Sequence, residues 1–320
     1  MSELEKIKSL QDYINQHILG QERLVNRMLI ALLADGHLLV EGAPGLAKTS
    51  AVKVMASGIA GEFHRIQFTP DLLPADLTGT EIFQPQNATF KFQKGPLFHN
   101  FILADEINRS PAKVQSALLE AMAERQITIG RTTYPLDELF LVMATQNPIE
   151  QVGTYPLPEA QRDRFLLHIK VDYPSVETEQ EILQLVLNQR QQIPVQKESP
   201  NVSRSAVLEA RQSVLKIHLA KELETYMVQL VAATRNPGAY DQQLKDWVAY
   251  GASPRGTIAL ALAARAHAWL QERDYVSPED IQEIAHDVLR HRMVLSYDAE
   301  ADGVSSDDVI SRLLSQVPIP

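Results

Sequence analysis

Residues 37–49 read His37-Leu38-Leu39-Val40-Glu41-Gly42-Ala43-Pro44-Gly45-Leu46-Ala47-Lys48-Thr49. The run His37–Glu41 has the composition of a strand buried on both faces. A turn containing glycine follows, and the pattern becomes helical from Lys48 to Ile59. That order builds an anion nest, because consecutive backbone N–H groups turn inward and the helix dipole adds to them. Lys48 would reach the β- and γ-phosphates, and the Thr49 hydroxyl would ligate Mg²⁺. The glycine expected just before the lysine is Ala47, so the match is the looser Gly-x-x-Gly-x-x-Lys-Thr. By itself it also fits a glycine-rich turn with a solvated lysine.

The second signal is Phe101-Ile102-Leu103-Ala104-Asp105-Glu106, an apolar strand that ends in two carboxylates. Asp105 suits a direct or outer-sphere Mg²⁺ ligand, and Glu106 suits a base that polarises an attacking water. Acidic capping of the next helix is the plainer alternative. With Ser110 as cap and Pro111 as first helical residue it would explain those two positions, but not two carboxylates at a strand end.

Working outward, short apolar runs alternate with helical patterns as far as residue 175. The strands expected are His37–Glu41, His64–Phe68, Phe101–Asp105, Leu139–Thr145 and Leu166–Val171. The helices expected between them are Lys48–Ile59, Pro111–Glu124 and a short one near Glu159. This is the pattern of an α/β fold with a parallel sheet covered by helices. Two stretches interrupt it. Glu81–Gly95 alternates apolar and polar residues around a turn and is expected to be a hairpin or helix–hairpin insert, and Gln126–Tyr134 a second hairpin. Phe83, Phe90 and Phe92 would be exposed on the first, with packing on the sheet edge as the plainer alternative. Strand signals stop after Asp172–Ser175. We therefore expect a nucleotide-binding α/β domain over residues 1–174 and a helical domain over residues 175–320.

Three further polar features bear on chemistry. Leu139–Thr145 should lie between the phosphate-loop strand and the acidic strand, and Asn147 at its tip could hold a water or a γ-phosphate oxygen. Read alone, Thr-Gln-Asn-Pro is simply a turn. Arg162 and Arg164, before the last strand, would lie across the sheet from their own phosphate loop. An arginine there would serve chiefly the next subunit of a ring, across a heterologous contact. A surface cluster of Asp163 with Arg164 is the plainer reading. In Gly251-Ala252-Ser253-Pro254-Arg255-Gly256, Ser253 is a plausible cap and Pro254 a first helical residue. Arg255 then opposes the helix dipole in the first turn, a placement that suits an anion ligand, with an exposed arginine paired to a local carboxylate as the plainer alternative.

Composition narrows the function classes. The chain has 320 residues, enough for about two domains. Its 45% hydrophobic and 22% charged residues are those of an ordinary globular protein. Cysteine is absent, which removes disulfides, thiolate catalysis and cysteine-ligated zinc. No apolar run approaches the roughly 20 residues of a membrane span, and the N-terminal segment has no secretory apolar region. We expect a cytoplasmic protein without membrane insertion. The net charge of −10 argues against nucleic acid as a direct ligand. The nine histidines show no ligand spacing, and Trp247 and Trp269 are expected to pack the helical domain.

Together these segments resemble the AAA+ superfamily, and specifically the MoxR family, over nearly the whole chain. The resemblance runs from Ile18-Leu19-Gly20-Gln21, similar to the adenine-side segment, to Arg255. That family typically writes its Walker A as Gly-Ala-Pro-Gly-Leu-Ala-Lys-Thr, alanine included. Gln67-Phe68-Thr69-Pro70-Asp71-Leu72-Leu73-Pro74 and Gly153–Gln161 before Asp-Arg-Phe are highly specific to it. The resemblance implies ATP and Mg²⁺ as cofactors, with Asp105 and Glu106 as Walker B and Asn147 as sensor 1. It also implies Arg164 as the arginine finger and Arg255 as sensor 2. Glu81–Gly95 is similar to the helix-2 insert of this clade, which includes magnesium chelatase subunits. A homo-oligomer, usually a hexamer, is implied, with a protein client that often carries a von Willebrand factor A domain. A chelatase-like motor subunit and an ATP-dependent assembly platform are the alternatives.

Overall fold

The computed structural model describes residues 2–42, 48–86, 88–146, 155–191 and 198–320. Helices α1 (Glu3–His17) and α2 (Glu22–Leu33) precede β1 (Leu38–Gly42) and α3 (Lys48–Gly58). Next come β2 (Phe63–Gln67), α4 (Pro74–Thr78), β3 (Gly79–Gln84), β4 (Thr89–Lys94) and β5 (Phe101–Asp105). Helix α5 (Ala112–Glu124) leads to β6 (Gln126–Ile129), β7 (Thr132–Pro135) and β8 (Leu141–Gln146). Short α6 (Glu159–Arg162), β9 (Leu167–Val171), α7 (Val176–Arg190), α8 (Arg204–Leu215) and α9 (Lys221–Arg235) follow. The chain continues through α10 (Gln242–Trp247), β10 (Val248–Tyr250), α11 (Pro254–Leu270) and α12 (Pro278–Leu289). It closes with β11 (Val294–Leu295), α13 (Tyr297–Ala301) and α14 (Ser306–Gln316).

The main sheet has the order β2-β5-β8-β1-β9. Strand β8 runs parallel to both β5 and β1, so it lies between them as the sequence implies. Every residue of β8 and the first four of β5 are buried, which explains why both read as unbroken apolar runs. After β9 the described residues form helices and the antiparallel ribbon β10–β11, which is too short to carry a strand signal.

By internal contacts the chain divides into two compact units. The first comprises Met1–Leu29, His37–Leu157 and Ile169–Leu208, and the second Ile30–Gly36, Pro158–His168 and Glu209–Pro320. The segment Pro158–His168, which carries Arg162 and Arg164, thus folds with the C-terminal helices.

Two local expectations are corrected. Helix α5 starts at Ala112 with Pro111 as its cap residue, and Ser110 does not cap it. A 3₁₀ turn over Ile107–Arg109 intervenes, and the Ser110 hydroxyl donates to the Ile107 carbonyl instead. Phe83 and Phe90 are exposed as expected, and their rings pair at 5.2 Å. Phe92 is half-buried, because it stacks on Tyr134 of the other hairpin at 4.3 Å and meets Phe98 edge-on.

A buried polar knot holds α11 to α12 in the second unit. Asp280 is fully buried and accepts hydrogen bonds from His267 Nδ1 and Arg273 Nη1, both at 2.6 Å, and from the Ser277 N–H at 2.7 Å. Burial alone would raise its carboxyl pKa. The bonds from His267, Arg273 and Ser277 outweigh burial and hold it below the usual carboxylate range. A depressed folded-state pKa means the stabilisation is complete above the unfolded value near 3.8 and fades as pH falls below it. Asp280→Asn is expected to cost about 3 kcal/mol in urea unfolding at neutral pH, with the gap to wild type narrowing below about pH 4. A gap that does not change with pH would contradict this role.

Candidate active site

The end of β1 and the start of α3 place the phosphate-loop lysine. Lys48 opens α3, is only 8% exposed, and donates from Nζ to the Gly42 carbonyl at 2.8 Å. Burial lowers its pKa, while Asp105, Glu106 and Glu41 act to raise it. One ammonium among three carboxylates leaves the site locally negative, an environment that suits a divalent cation accompanying an anionic ligand. Gly42 has a packing reason to be glycine, since a Cβ there would lie 2.5 Å from the Val171 carbonyl oxygen.

The acidic pair sits where the sequence reading puts it, at the end of β5. Thr145, on β8, donates its hydroxyl to Asp105 Oδ1 at 2.6 Å and accepts the Glu106 N–H at 2.9 Å. Arg65, on β2, reaches Asp105 Oδ2 through Nη2 at 2.6 Å and Nε at 3.1 Å. The same guanidinium donates to Gln67 Oε1 at 2.9 Å, and Gln67 Nε2 donates to Glu106 Oε2 at 2.9 Å. Arg109 Nε lies 3.2 Å from that same Glu106 oxygen. Glu106 has φ 56° and ψ 48°, in the left-handed region that non-glycine residues rarely occupy. Such a conformation persists only where its surroundings over-determine it, and it is concentrated at functional sites.

These residues suit a nucleotide with Mg²⁺. Asp105 supplies a hard carboxylate oxygen beside the Lys48 ammonium, and half-buried Thr49 supplies a hydroxyl one residue further on. Glu41 on β1 also accepts from Gln146 Nε2 on β8 at 3.1 Å.

Other predicted site residues fall in three groups. Ala43, Pro44, Gly45, Leu46, Ala47 and Asn147 lie outside the described residues. Gly20 and Gln21 belong to the first unit. Gly20 has φ +69°, and a Cβ there would lie 2.3 Å from Thr178, so glycine is required on both counts. Gln21 Nε2 donates to the Asp172 carbonyl at 3.3 Å.

Arg162, Arg164 and Arg255 belong to the second unit. Arg164 is exposed and Arg162 half-buried. Arg255 is exposed in the first turn of α11, whose cap is Ser253 with Pro254 first in the helix, as the sequence indicated.

Sequence reasoning missed Arg65, Thr145 and Arg109 as partners of the acidic pair. One signal was available: Arg65 and Gln67 alternate around buried Ile66, so both polar side chains project from one face of the edge strand β2.

Comparison with known proteins agrees with this arrangement. A profile of the ATPase family associated with various cellular activities (AAA) matches residues 37–167, and an AAA lid domain profile matches residues 244–313. The chain is 49% identical to Chaperone MoxR1 of Mycobacterium tuberculosis, over 96% of this chain and 80% of that protein. It is 31% identical to Protein MoxR of Paracoccus denitrificans, over 98% of this chain and 96% of that one. A solved structure described as a candidate ATPase from Cytophaga hutchinsonii superposes with a TM-score of 0.92 at 50% identity. It covers 99% of this chain and 96% of its own.

Proposed function

The chain belongs to the MoxR family of AAA+ ATPases, and from that premise we propose a Mg²⁺-dependent ATPase that works as a ring and remodels a protein client. ATPase activity and a chaperone-like role follow from the family. The observation that supports Mg²⁺-dependent hydrolysis is the grouping of Lys48 at the start of α3 with Asp105 and Glu106 at the end of β5.

In this reading Lys48 and the backbone of residues 42–49 hold the phosphates, and Thr49 and Asp105 hold Mg²⁺, which neutralises phosphate charge. Glu106 orients and polarises the attacking water, a task we assign to Asn147 as well. Arg255 contacts the γ-phosphate of its own subunit's nucleotide, and Arg164 that of the neighbour. Gly20 and Gln21 line the adenine side. Residues 1–174 serve as the nucleotide-binding domain and residues 175–320 as the lid. A hexamer is the assembly we favour, working in the cytoplasm; among the described residues no helix is long and apolar enough to cross a membrane. The exposed pair Phe83 and Phe90 at the β3–β4 hairpin is our candidate for a client-facing element, and a von Willebrand factor A domain protein is the client class expected.

Magnesium removal tests the metal assignment. Chelation should abolish turnover and added Mg²⁺ restore it, and Asp105→Ala should raise the Mg²⁺ concentration for half-maximal rate by about tenfold or more. An unchanged Mg²⁺ requirement in Asp105→Ala would remove Asp105 from the metal site.

A further inference from the structure

The turn that carries Arg164 is fastened within the second unit by side chains distant in sequence. Arg292 Nε pairs with Asp163 Oδ1 at 2.9 Å, and its terminal nitrogens reach the carbonyl oxygens of Phe165 at 2.6 Å and Leu166 at 3.2 Å. Arg290 donates to the His168 carbonyl. Arg292 is 3% exposed, and burial lowers its pKa to about 10, which leaves it charged at neutral pH. A buried guanidinium needs such partners, so the geometry of the turn is tightly determined.

The second oxygen of Asp163 faces elsewhere. Ser253 Oγ donates to Asp163 Oδ2 at 2.8 Å and accepts the Arg255 N–H at 3.1 Å, as the cap of α11. The far side of this cap is fixed too, because the Ala252 N–H donates to buried Thr234 at 2.9 Å and Arg235 Nε to the Ala252 carbonyl at 2.7 Å. An unbroken chain of polar contacts thus runs from Arg292 through Asp163 and Ser253 to the first turn of α11. Asp163 precedes Arg164 directly, and Ser253 lies two residues before Arg255.

We propose that Asp163 is a positioning residue that locks the turn bearing Arg164 to the helix start bearing Arg255. The arginine offered to the neighbouring site and the one offered to the subunit's own nucleotide are then set as a single piece. This rests on the roles proposed above for those two arginines. The physical reason is geometric: displacing a catalytic group by about 1 Å can cost about a hundredfold in rate.

The test uses full-length Ser253→Gly, because glycine caps a helix nearly as well as serine and the Asp163–Arg292 pair is left in place. Asp163→Asn, which keeps the size and removes the charge, is the second variant. For Ser253→Gly, ADP affinity and unfolding temperature should stay close to wild type while kcat falls about tenfold. Mixing it with Lys48→Ala, which contributes an intact Arg164 turn, should restore turnover only in part, because Arg255 of the variant's own site stays unlocked. General damage to a subunit's own site would not be relieved by a neighbour.

Wild-type kcat in both variants, with Arg164→Ala inactive, would overturn the positioning role and leave the arginine assignment standing. A loss that mixing does not relieve at all, or relieves as fully as it does that of Arg164→Ala, would overturn the single-piece claim too. Full turnover in Arg164→Ala would overturn the arginine assignment, and the positioning role with it.

Discussion

Glu106→Gln should bind ATP within about twofold of wild type while turnover falls by a factor of about 10² to 10⁴, the range for losing a positioned general base. Glutamine keeps the size of the side chain and an oxygen to accept from Gln67 Nε2, which bonds Glu106 at 2.9 Å. What it loses is the negative charge and the basicity that polarise water. Lys48→Ala should behave in the opposite way. In the proposed mechanism its buried ammonium contacts the phosphates, and removing a charged hydrogen bond of that kind weakens binding by about tenfold to a hundredfold. A fluorescent nucleotide titration beside a phosphate-release assay separates the two. Equal loss of binding in both variants would break the division of labour between these residues.

Arg164→Ala should cost about a thousandfold in kcat, the lower part of the range for an arginine finger. Its defect should also be curable in trans. Mixed with Lys48→Ala, each subunit type lacks what the other supplies, so part of the mixed interfaces hold one complete site. Activity of the mixture above the sum of the separate variants is the expected result. Arg162→Ala is the control, since Arg162 is half-buried where Arg164 is exposed. Should Arg162→Ala show the trans-curable loss and Arg164→Ala none, the finger is Arg162.

The architecture was readable wherever a strand is buried on both faces. Phe101–Asp105 coincides with β5 residue for residue, and the place of β8 between β5 and β1 followed from the same logic. The acidic pair was readable because carboxylates at the end of such a strand have few structural uses. Its partners were not, because Arg65 and Gln67 meet Asp105 and Glu106 only through the β2–β5 register, which pairs Gln67 with Asp105. No local pattern encodes that pairing.

Long-range polar contacts hid the rest. The sequence pattern attaches Pro158–His168 to the α/β part, since it leads into the last strand of the sheet. The contacts of Arg290 and Arg292 draw it into the second unit from more than 120 residues away. Ser110 shows the converse error. A serine followed by proline looks like a helix start, yet the turn over Ile107–Arg109 takes its hydroxyl first.

The central claim is a site completed by a neighbour, and mass measured together with rate tests it most directly. Light scattering with and without ATP·Mg²⁺, run beside turnover at increasing protein concentration, should show a closed ring of several chains whose formation tracks a rise in specific activity. A chain that stays monomeric and fully active at every concentration would contradict the shared site, and would leave only a self-contained ATPase.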